Sequence, residues 1–103
     1  REPEACLAAE IDGKVVGFIL GDIRGWEYTI PLCGWIDIMG VDISYQGKGI
    51  GKMLVESIFD FFRKNGVETV VTVVNWNDGD LIDYFHTHGF KRGEYINLVK
   101  KLN

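Results

Sequence analysis

Three glycines crowd the junction between a strand-like run and a helix-like run of this chain, and this junction restricts the fold more than any other feature. It consists of Gln46, Gly47, Lys48, Gly49, Ile50 and Gly51. Glycines at such a junction let backbone N–H groups approach an anion, while the helix that follows supplies unpaired N–H donors and the positive end of its dipole. The junction therefore predicts a phosphate-binding turn, with an ordinary flexible turn as the alternative.

Two common phosphate-binding loops do not fit the spacing of these glycines. The dinucleotide fingerprint requires G-x-G-x-x-G, whereas the glycines here stand at 47, 49 and 51. The nucleoside-triphosphate loop requires a glycine in place of Gln46 and a serine or threonine in place of Met53. The junction therefore favours neither a dehydrogenase nor an ATPase.

The composition indicates one compact domain that spans residues 1–103. With 103 residues, of which 47% are hydrophobic, the chain can bury one core and is too short for two ordinary domains. Its formal charge of -4 disfavours nonspecific nucleic-acid binding and suits an amine or cationic acceptor better. No apolar run approaches the roughly 20 residues of a membrane span and no signal peptide is visible, so we expect no membrane partner and a cytoplasmic location.

The two cysteines do not suggest a metal site. Cys6 and Cys33 have neither a C-x-x-C spacing nor a nearby histidine cluster, so no metal is predicted. Both lie in apolar strand-like runs, where an unpaired cysteine usually acts as a small hydrophobic residue. A structural disulfide is the disfavoured alternative, because a cytosolic location keeps thiols reduced.

Alternating apolar residues predict three strands in the first part of the chain. Residues 6–11 and 14–23 flank Asp12 and Gly13, a pair that favours a tight antiparallel hairpin. Residues 34–43 read as the third strand, which ends just before the glycine-rich junction.

The second part of the chain begins with a helix over residues 50–64, for which Gly66 is a suitable C-cap. Residues 67–74 are apolar on both faces, which predicts a buried central strand. A short helix ended by Gly89 and one or two final strands over residues 90–102 follow. Because a strand–helix–strand crossover makes its two strands parallel while the hairpins are antiparallel, the sequence predicts a mixed sheet in an α/β (α+β) fold.

Two segments resemble the GNAT superfamily of N-acetyltransferases. Its acetyl-CoA signature is Gln/Arg-x-x-Gly-x-Gly/Ala, and the chain has Gln46, Gly49 and Gly51 at these positions. Residues 40–45 resemble the end of the family's fourth strand, and residues 81–90 resemble its second signature, a short helix that closes on a Gly-Phe pair. The resemblance covers nearly the whole chain.

This resemblance implies a sheet whose two parallel strands splay apart, with the pantetheine arm of acetyl-CoA in the gap. Backbone groups on the third strand would bind pantetheine and polarise the acetyl carbonyl, while the glycine-rich junction would hold the pyrophosphate. The cofactor-binding residues implied for acetyl-CoA are Met39, Gly40, Val41, Gln46, Gly47, Lys48, Gly49, Ile50 and Gly51.

The implied activity is transfer of acetyl from acetyl-CoA to a primary amine by direct attack in a ternary complex. No nucleophilic cysteine or serine with a base partner is evident, which favours direct transfer over a covalent intermediate. The acceptor could be a protein N-terminus, a lysine, a polyamine or another small amine. The alternatives are a noncatalytic CoA-binding or regulatory module and, third, an interaction domain without a ligand.

Asp37 is the candidate catalytic base. It lies in the third strand among apolar residues, and desolvation there would make the carboxylate a stronger base. The base of the resembled family, where there is one, is often a Glu on this strand with the alternation parity of position 37. The alternative is a carboxylate paired with a basic group and without a role in turnover.

The general acid is less well marked. Many members of the family have a Tyr four residues before the Gly of the closing Gly-Phe pair, but this chain has Phe85 there and Tyr84 next to it. One residue along a helix turns a side chain by about 100°, so Tyr84 is a catalytic candidate in a different register. His86 and His88 are alternatives, although both fit a surface position, and the thiolate could also leave without a dedicated acid.

A second departure concerns an Asn that the family often has after its fifth strand. The corresponding residue here is Asp78, and Asn75 and Asn77 lie just upstream. We assign Asn77 to the CoA arm by resemblance, with capping or turn formation as the alternative. Asp78 or Asp80 could cap the short helix.

The family normally begins with a strand and a helical pair ahead of the first hairpin, and the chain lacks these N-terminal elements. Either the sequence is a fragment of a longer protein, or the acceptor wall is supplied otherwise, for example by the second subunit of a homodimer. The loop over residues 24–32, with Trp26, Tyr28 and Ile30, would contribute to that wall or to a dimer contact, or would pack on its own domain.

Overall fold

A computed structural model describes residues 4–25 and 32–103 of the chain. The chain divides into two compact units, Arg1–Val73 and Val74–Asn103. The first unit contains a four-stranded sheet in the order β1-β2-β3-β4 and one α-helix. Its elements are β1 (Ala5–Ile11), β2 (Lys14–Arg24), β3 (Cys33–Val41), α1 (Ile50–Lys64) and β4 (Val70–Thr72).

The hairpin of β1 and β2 turns at the predicted pair. Asp12 and Gly13 both have positive φ, 51° and 77°, which matches the right-handed twist of the strands they join. The pairs β1–β2 and β2–β3 are antiparallel, whereas β3 and β4 are parallel. The predicted mixed sheet is therefore confirmed.

Helix α1 packs its apolar face on the sheet at glycine positions. A Cβ on Gly17 would lie 3.2 Å from Leu54, and a Cβ on Gly34 would lie 2.6 Å from the ring of Phe62. The helix ends as predicted, with Gly66 at a φ of 74°. The buried residues of α1 are Ile50, Leu54, Val55, Ile58 and Phe62.

A register shift places one extra residue in β3. Leu20 pairs with Ile38 while Gly21 pairs with Ile36, so Asp37 forms a bulge opposite β2. On its other edge, β3 pairs with β4 over three residues and Ile36 is the last of them. The strand then continues to Val41 without a partner in β4, which is the splay that the resemblance implied.

Two segments that were predicted to form strands differ from the structure. The strand predicted over residues 67–74 is restricted to Val70–Thr72, because the parallel pairing with β3 ends there. The strands predicted over residues 90–102 are wrong, since this described segment forms neither helix nor strand. Its apolar residues fit a strand locally, but a strand also requires a partner to hydrogen-bond with.

The second unit contains α2 (Gly79–Thr87). The Asp78 side chain accepts a hydrogen bond from the Leu81 N–H at 3.1 Å, which confirms one of the two predicted caps. Gly89 follows the helix with a φ of 90°. The side chains of Trp26, Tyr28 and Ile30 lie outside the described residues, so their proposed contacts stay predictions.

Candidate functional site

The end of β3 leads directly into the glycine-rich junction. The Asp42 side chain accepts the Ser44 N–H at 2.8 Å and so caps a short 3-10 helix, Ile43–Tyr45. Gln46 then donates from Nε2 to the Val41 carbonyl at 3.2 Å. These bonds fix the direction in which the chain leaves the sheet and enters α1.

The junction itself depends on left-handed glycines. Gly47 and Gly49 have φ values of 78° and 83°, which L side chains rarely adopt. Helix α1 begins with the Met53 N–H donating to the Gly49 carbonyl at 3.1 Å. Within the described residues, the N–H groups of residues 47–52 have no acceptor. They therefore form a cluster of backbone donors at the positive end of α1.

The free edge of β3 lies next to this cluster. The Asp42 N–H donates to the Val16 carbonyl at 2.7 Å, so by alternation Val41 and Met39 direct their backbone groups away from β2. Gly40 lies between them and pairs with Phe18. An extended ligand arm could therefore pair with Met39 and Val41 while its anionic end meets the junction.

Positive side chains surround the same region. The ammonium groups of Lys14 and Lys48 lie 5.5 and 5.3 Å from the centroid of the Tyr45 ring. Lys14 also lies 3.9 Å from a carboxylate oxygen of Asp42. The sequence singled out Lys48 but gave no signal for Lys14, which begins β2 beside the end of β3.

Asp37 does not lie in the apolar setting that we expected. Its side chain is 37% exposed and forms an ion pair with Arg24, with distances of 2.7 and 3.3 Å to the two carboxylate oxygens. The expectation failed because positions 33, 35 and 37 of β3 alternate onto the sheet face that carries Asp22 and Arg24 of β2, so a guanidinium rather than an apolar side chain faces the carboxylate. The alternative prediction, a carboxylate paired with a basic group, describes the contact that is observed.

Arg24 is a second residue of this site, besides Lys14, that the sequence analysis did not identify. Its guanidinium also lies 3.5 Å from Asp22 and 4.5 Å from the centroid of the Trp35 ring. The hydrogen bond to Asp37 is the main reason that the pKa of Arg24 lies above its ordinary value. The alternation of Asp22 and Arg24 along β2 could have suggested an ion pair within that strand. It could not have identified the second partner, Asp37 on β3.

In the second unit, Tyr84 occupies an unusual position for a polar side chain. Its hydroxyl is buried and makes no hydrogen bond to a described residue. This burial raises the pKa of Tyr84. The ring packs edge-on against His88, with 4.8 Å between the ring centroids, while Phe85 is buried and His86 is exposed.

The two asparagines upstream of α2 form a turn. The Asn77 N–H donates to Oδ1 of Asn75 at 2.8 Å, so Asn75 has the turn-forming role that we gave as the alternative. The Asn77 side chain is exposed, and its contact with the CoA arm stays a prediction.

The family to which this arrangement belongs is identified by sequence comparison. The profile of the Acetyltransferase (GNAT) family matches residues 1–90. The chain belongs to the GNAT acetyltransferase family. The resemblance that rested on Gln46, Gly49 and Gly51 is thereby confirmed.

Several relatives of this GNAT chain are named N-acetyltransferases. An uncharacterized N-acetyltransferase of Methanocaldococcus jannaschii is 26% identical over 99% of this chain and 47% of its own length. The L-2,4-diaminobutyric acid acetyltransferase of Nocardia farcinica is 26% identical over 91% of this chain and 47% of its own. The chain thus spans about half the length of these curated relatives.

A solved structure confirms the fold. An aminoglycoside N-acetyltransferase in complex with CoA superimposes with a TM-score of 0.81 at 17% identity. The match covers 95% of this GNAT chain and 66% of that structure. At this identity the likeness establishes the fold alone.

The two cysteines of the GNAT chain do not pair with each other. Cys6 is exposed and Cys33 is buried, and both are free thiols. Within residues 4–25 and 32–103, no group of three or more His, Cys, Asp or Glu side chains could hold a metal ion. None of the helices in these ranges is long and apolar enough to cross a membrane.

Proposed function

We propose that this chain binds acetyl-CoA and transfers its acetyl group to a primary amine by direct attack in a ternary complex. The observation that carries the proposal is the glycine-rich junction, where unpaired N–H donors at the start of α1 adjoin the free edge of β3. Membership of the GNAT family supports the same reading.

Each part of the site has a role in this proposal. The N–H groups of residues 47–52 would bind the pyrophosphate, because backbone donors at a helix N-terminus favour an anion. The free backbone groups of Met39 and the free N–H of Val41 would pair with the pantetheine arm as an added strand does. Lys48 would add positive charge near the phosphates.

The reaction requires two proton transfers. The acceptor ammonium loses a proton, and its nitrogen then attacks the thioester carbon while the carbon–sulfur bond breaks. The products are the N-acetyl amine, CoA thiol and one proton. We assign Asp37 to binding the acceptor ammonium and accepting its proton, and Tyr84 to protonating the thiolate.

The acceptor class is drawn from the relatives. One of them is named for L-2,4-diaminobutyric acid, and solved structures of the same fold are named for aminoglycosides and for a ribosomal-protein alanine. All of these acceptors carry a primary amine. We therefore propose a small or protein-borne amine as the second substrate.

Calorimetric titration tests the CoA site directly. Acetyl-CoA and CoA should bind with micromolar affinity, about -8 kcal/mol, whereas NAD should not bind. Gly49→Ala should weaken this affinity at least tenfold, because a side chain at positive φ strains the turn that aligns the N–H donors.

Gly66→Ala is the matched control for Gly49→Ala. It also places a side chain at positive φ with nothing within 4 Å, but at the opposite end of α1. Its acetyl-CoA affinity should equal that of the wild type. Equal binding of NAD, or equal losses in the two variants, would refute the assigned site. Tight CoA binding without transfer to any amine would instead indicate the noncatalytic module.

Tyr84→Phe tests the proposed acid. If Tyr84 protonates the thiolate, kcat should fall while the affinity for acetyl-CoA stays constant. Burial raises the pKa of Tyr84 in the folded protein above its value in the unfolded chain. As the pH rises past about 10, the unfolded chain therefore loses the phenolic proton more readily, and the wild-type protein becomes less stable. The variant should therefore lose less stability above that pH, which thermal melts would measure. An unchanged kcat would exclude Tyr84 as the acid.

A further inference from the structure

Arg24 makes an unusual set of contacts for a residue at a strand end. Its two terminal nitrogens bond the two carboxylate oxygens of Asp37, at 2.7 Å from Nη2 and 3.3 Å from Nη1. Nη1 also lies 3.5 Å from Asp22, and the guanidinium lies over the ring of Trp35. The side chain is therefore held from three directions.

These contacts fix the orientation of the Asp37 carboxylate but contribute little to the free energy of unfolding. The Arg24 and Asp37 side chains are each 37% exposed, and ion pairs at that exposure contribute little to folding. A two-pronged guanidinium bond, however, determines the plane of the carboxylate that it binds. Asp22, which is 5% exposed, and Trp35 hold the guanidinium itself in place.

The oriented carboxylate lies where the sheet opens. Ile36 is the last residue of β3 that pairs with β4, and Asp37 is the next residue. Asp37 is the extra residue of the bulge, and its side chain is bonded by Arg24 of β2. A ligand arm that pairs with the free edge of β3 would bring its reactive end close to this carboxylate.

The carboxylate also keeps bonding capacity. Two carboxylate oxygens accept about four hydrogen bonds, and among the described residues Arg24 uses one on each oxygen. The exposed fraction of Asp37 leaves room for a second cation.

We propose that Arg24 is a positioning residue for acetyl transfer, which holds the Asp37 carboxylate in the orientation that receives the acceptor ammonium. This inference rests on the proposed function, because it assigns Arg24 a role in that reaction. Arg24 itself contacts neither substrate. Its effect on catalysis therefore passes through Asp37.

A double-mutant cycle on kcat/KM tests this coupling. The acceptor probes are L-2,4-diaminobutyrate, an aminoglycoside and spermidine, and the variants are Arg24→Ala, Asp37→Asn and the double variant. Arg24→Ala should lower kcat/KM about tenfold when Asp37 is present and less than twofold in the Asp37→Asn background. Arg24→Lys should recover only part of the lost kcat/KM, because lysine keeps the positive charge but cannot bond both carboxylate oxygens as the planar guanidinium does.

Arg63→Ala is the matched control. Arg63 also pairs with an aspartate, Asp60 at 2.9 Å, and lies over an aromatic ring, but it belongs to the exposed face of α1. It should leave kcat/KM unchanged. Calorimetry should give the same acetyl-CoA affinity for every variant. Melting curves identify any variant that fails to fold. If Arg24→Ala fails to fold, Arg24→Lys takes its place in the cycle.

The outcomes separate the two proposals. Equal losses from Arg24→Ala in both backgrounds, or no loss in either, would overturn the positioning role while the proposed function stands. Acetyl-CoA binding without transfer to any probe by the wild type would overturn the proposed function and this inference with it.

Discussion

The two halves of β3 have similar apolar sequences but different surroundings. Residues 33–36 are all buried and pair with β2 on one edge, and residues 34–36 also pair with β4 on the other. Beyond the Asp37 bulge, residues 38–41 pair with β2 alone among the described strands, and Ile38 is 53% exposed. The backbone of the second half is open to a ligand because β4 ends beside Ile36, and not because the residue types of the two halves differ.

Thr72 explains why the pairing ends where it does. Its Oγ1 donates to the Ile36 carbonyl at 3.0 Å. A side chain thus takes the position that the N–H of a continuing strand would occupy. The next residue, Val73, is 69% exposed and lies outside β4.

Hydrogen exchange should give the largest contrast between the two halves. The Gly34 N–H donates to the Thr69 carbonyl at 2.8 Å, whereas the Met39 N–H faces the open edge. Gly34 should exchange more slowly than Met39 by about three orders of magnitude, or ~4 kcal/mol of opening free energy. Acetyl-CoA should then protect Met39. Equal protection without ligand, measured by NMR, would mean that the edge is closed in solution.

Alanine substitutions should show the next largest difference. A Cβ on Gly34 would overlap the ring of buried Phe62, whereas a Cβ on Gly40 would meet the half-exposed ring of Phe18 at 2.9 Å. Gly34→Ala should cost about 3 kcal/mol of unfolding free energy and Gly40→Ala about 1, since Phe18 can rotate away. Urea denaturation measures both. Equal costs would contradict the view that the second half tolerates change.

Thr72→Val should have a moderate effect at the boundary. It removes the Oγ1 donor to Ile36, and we expect a loss of about 1 kcal/mol. Thr69→Val is the control, because the Thr69 side chain is exposed and makes no described hydrogen bond. If both variants unfold at the same urea concentration, the side-chain bond does not determine where the pairing ends.

Asp37→Asn should have the smallest effect on stability. Because the ion pair with Arg24 is more than one third exposed, we expect a change below about 0.5 kcal/mol. Asp60→Asn, which breaks the pair with Arg63, should change stability as little. A large loss at Asp37 alone, measured by urea denaturation, would show that the pair has a structural role beyond orientation.

Local signals in the sequence were sufficient for much of this fold. The hairpin at Asp12 and Gly13, the glycine-rich junction before α1, Gly66 after it and the Asp78 cap of α2 were all predicted and are confirmed. Each depends on φ preferences or on hydrogen bonds between residues a few positions apart. Such preferences are properties of the chain itself and need no distant partner.

Only the tertiary structure decided which polar groups meet. The pairing of β2 with β3 brings Asp37 to Arg24, thirteen positions away. The side chain of Thr72 ends the pairing of β4 with a residue thirty-six positions earlier, Ile36. Residues 90–102, with apolar residues suited to a strand, form none. All three outcomes depend on pairing between distant segments, and hydrophobic periodicity predicts a strand without specifying its register or its partner.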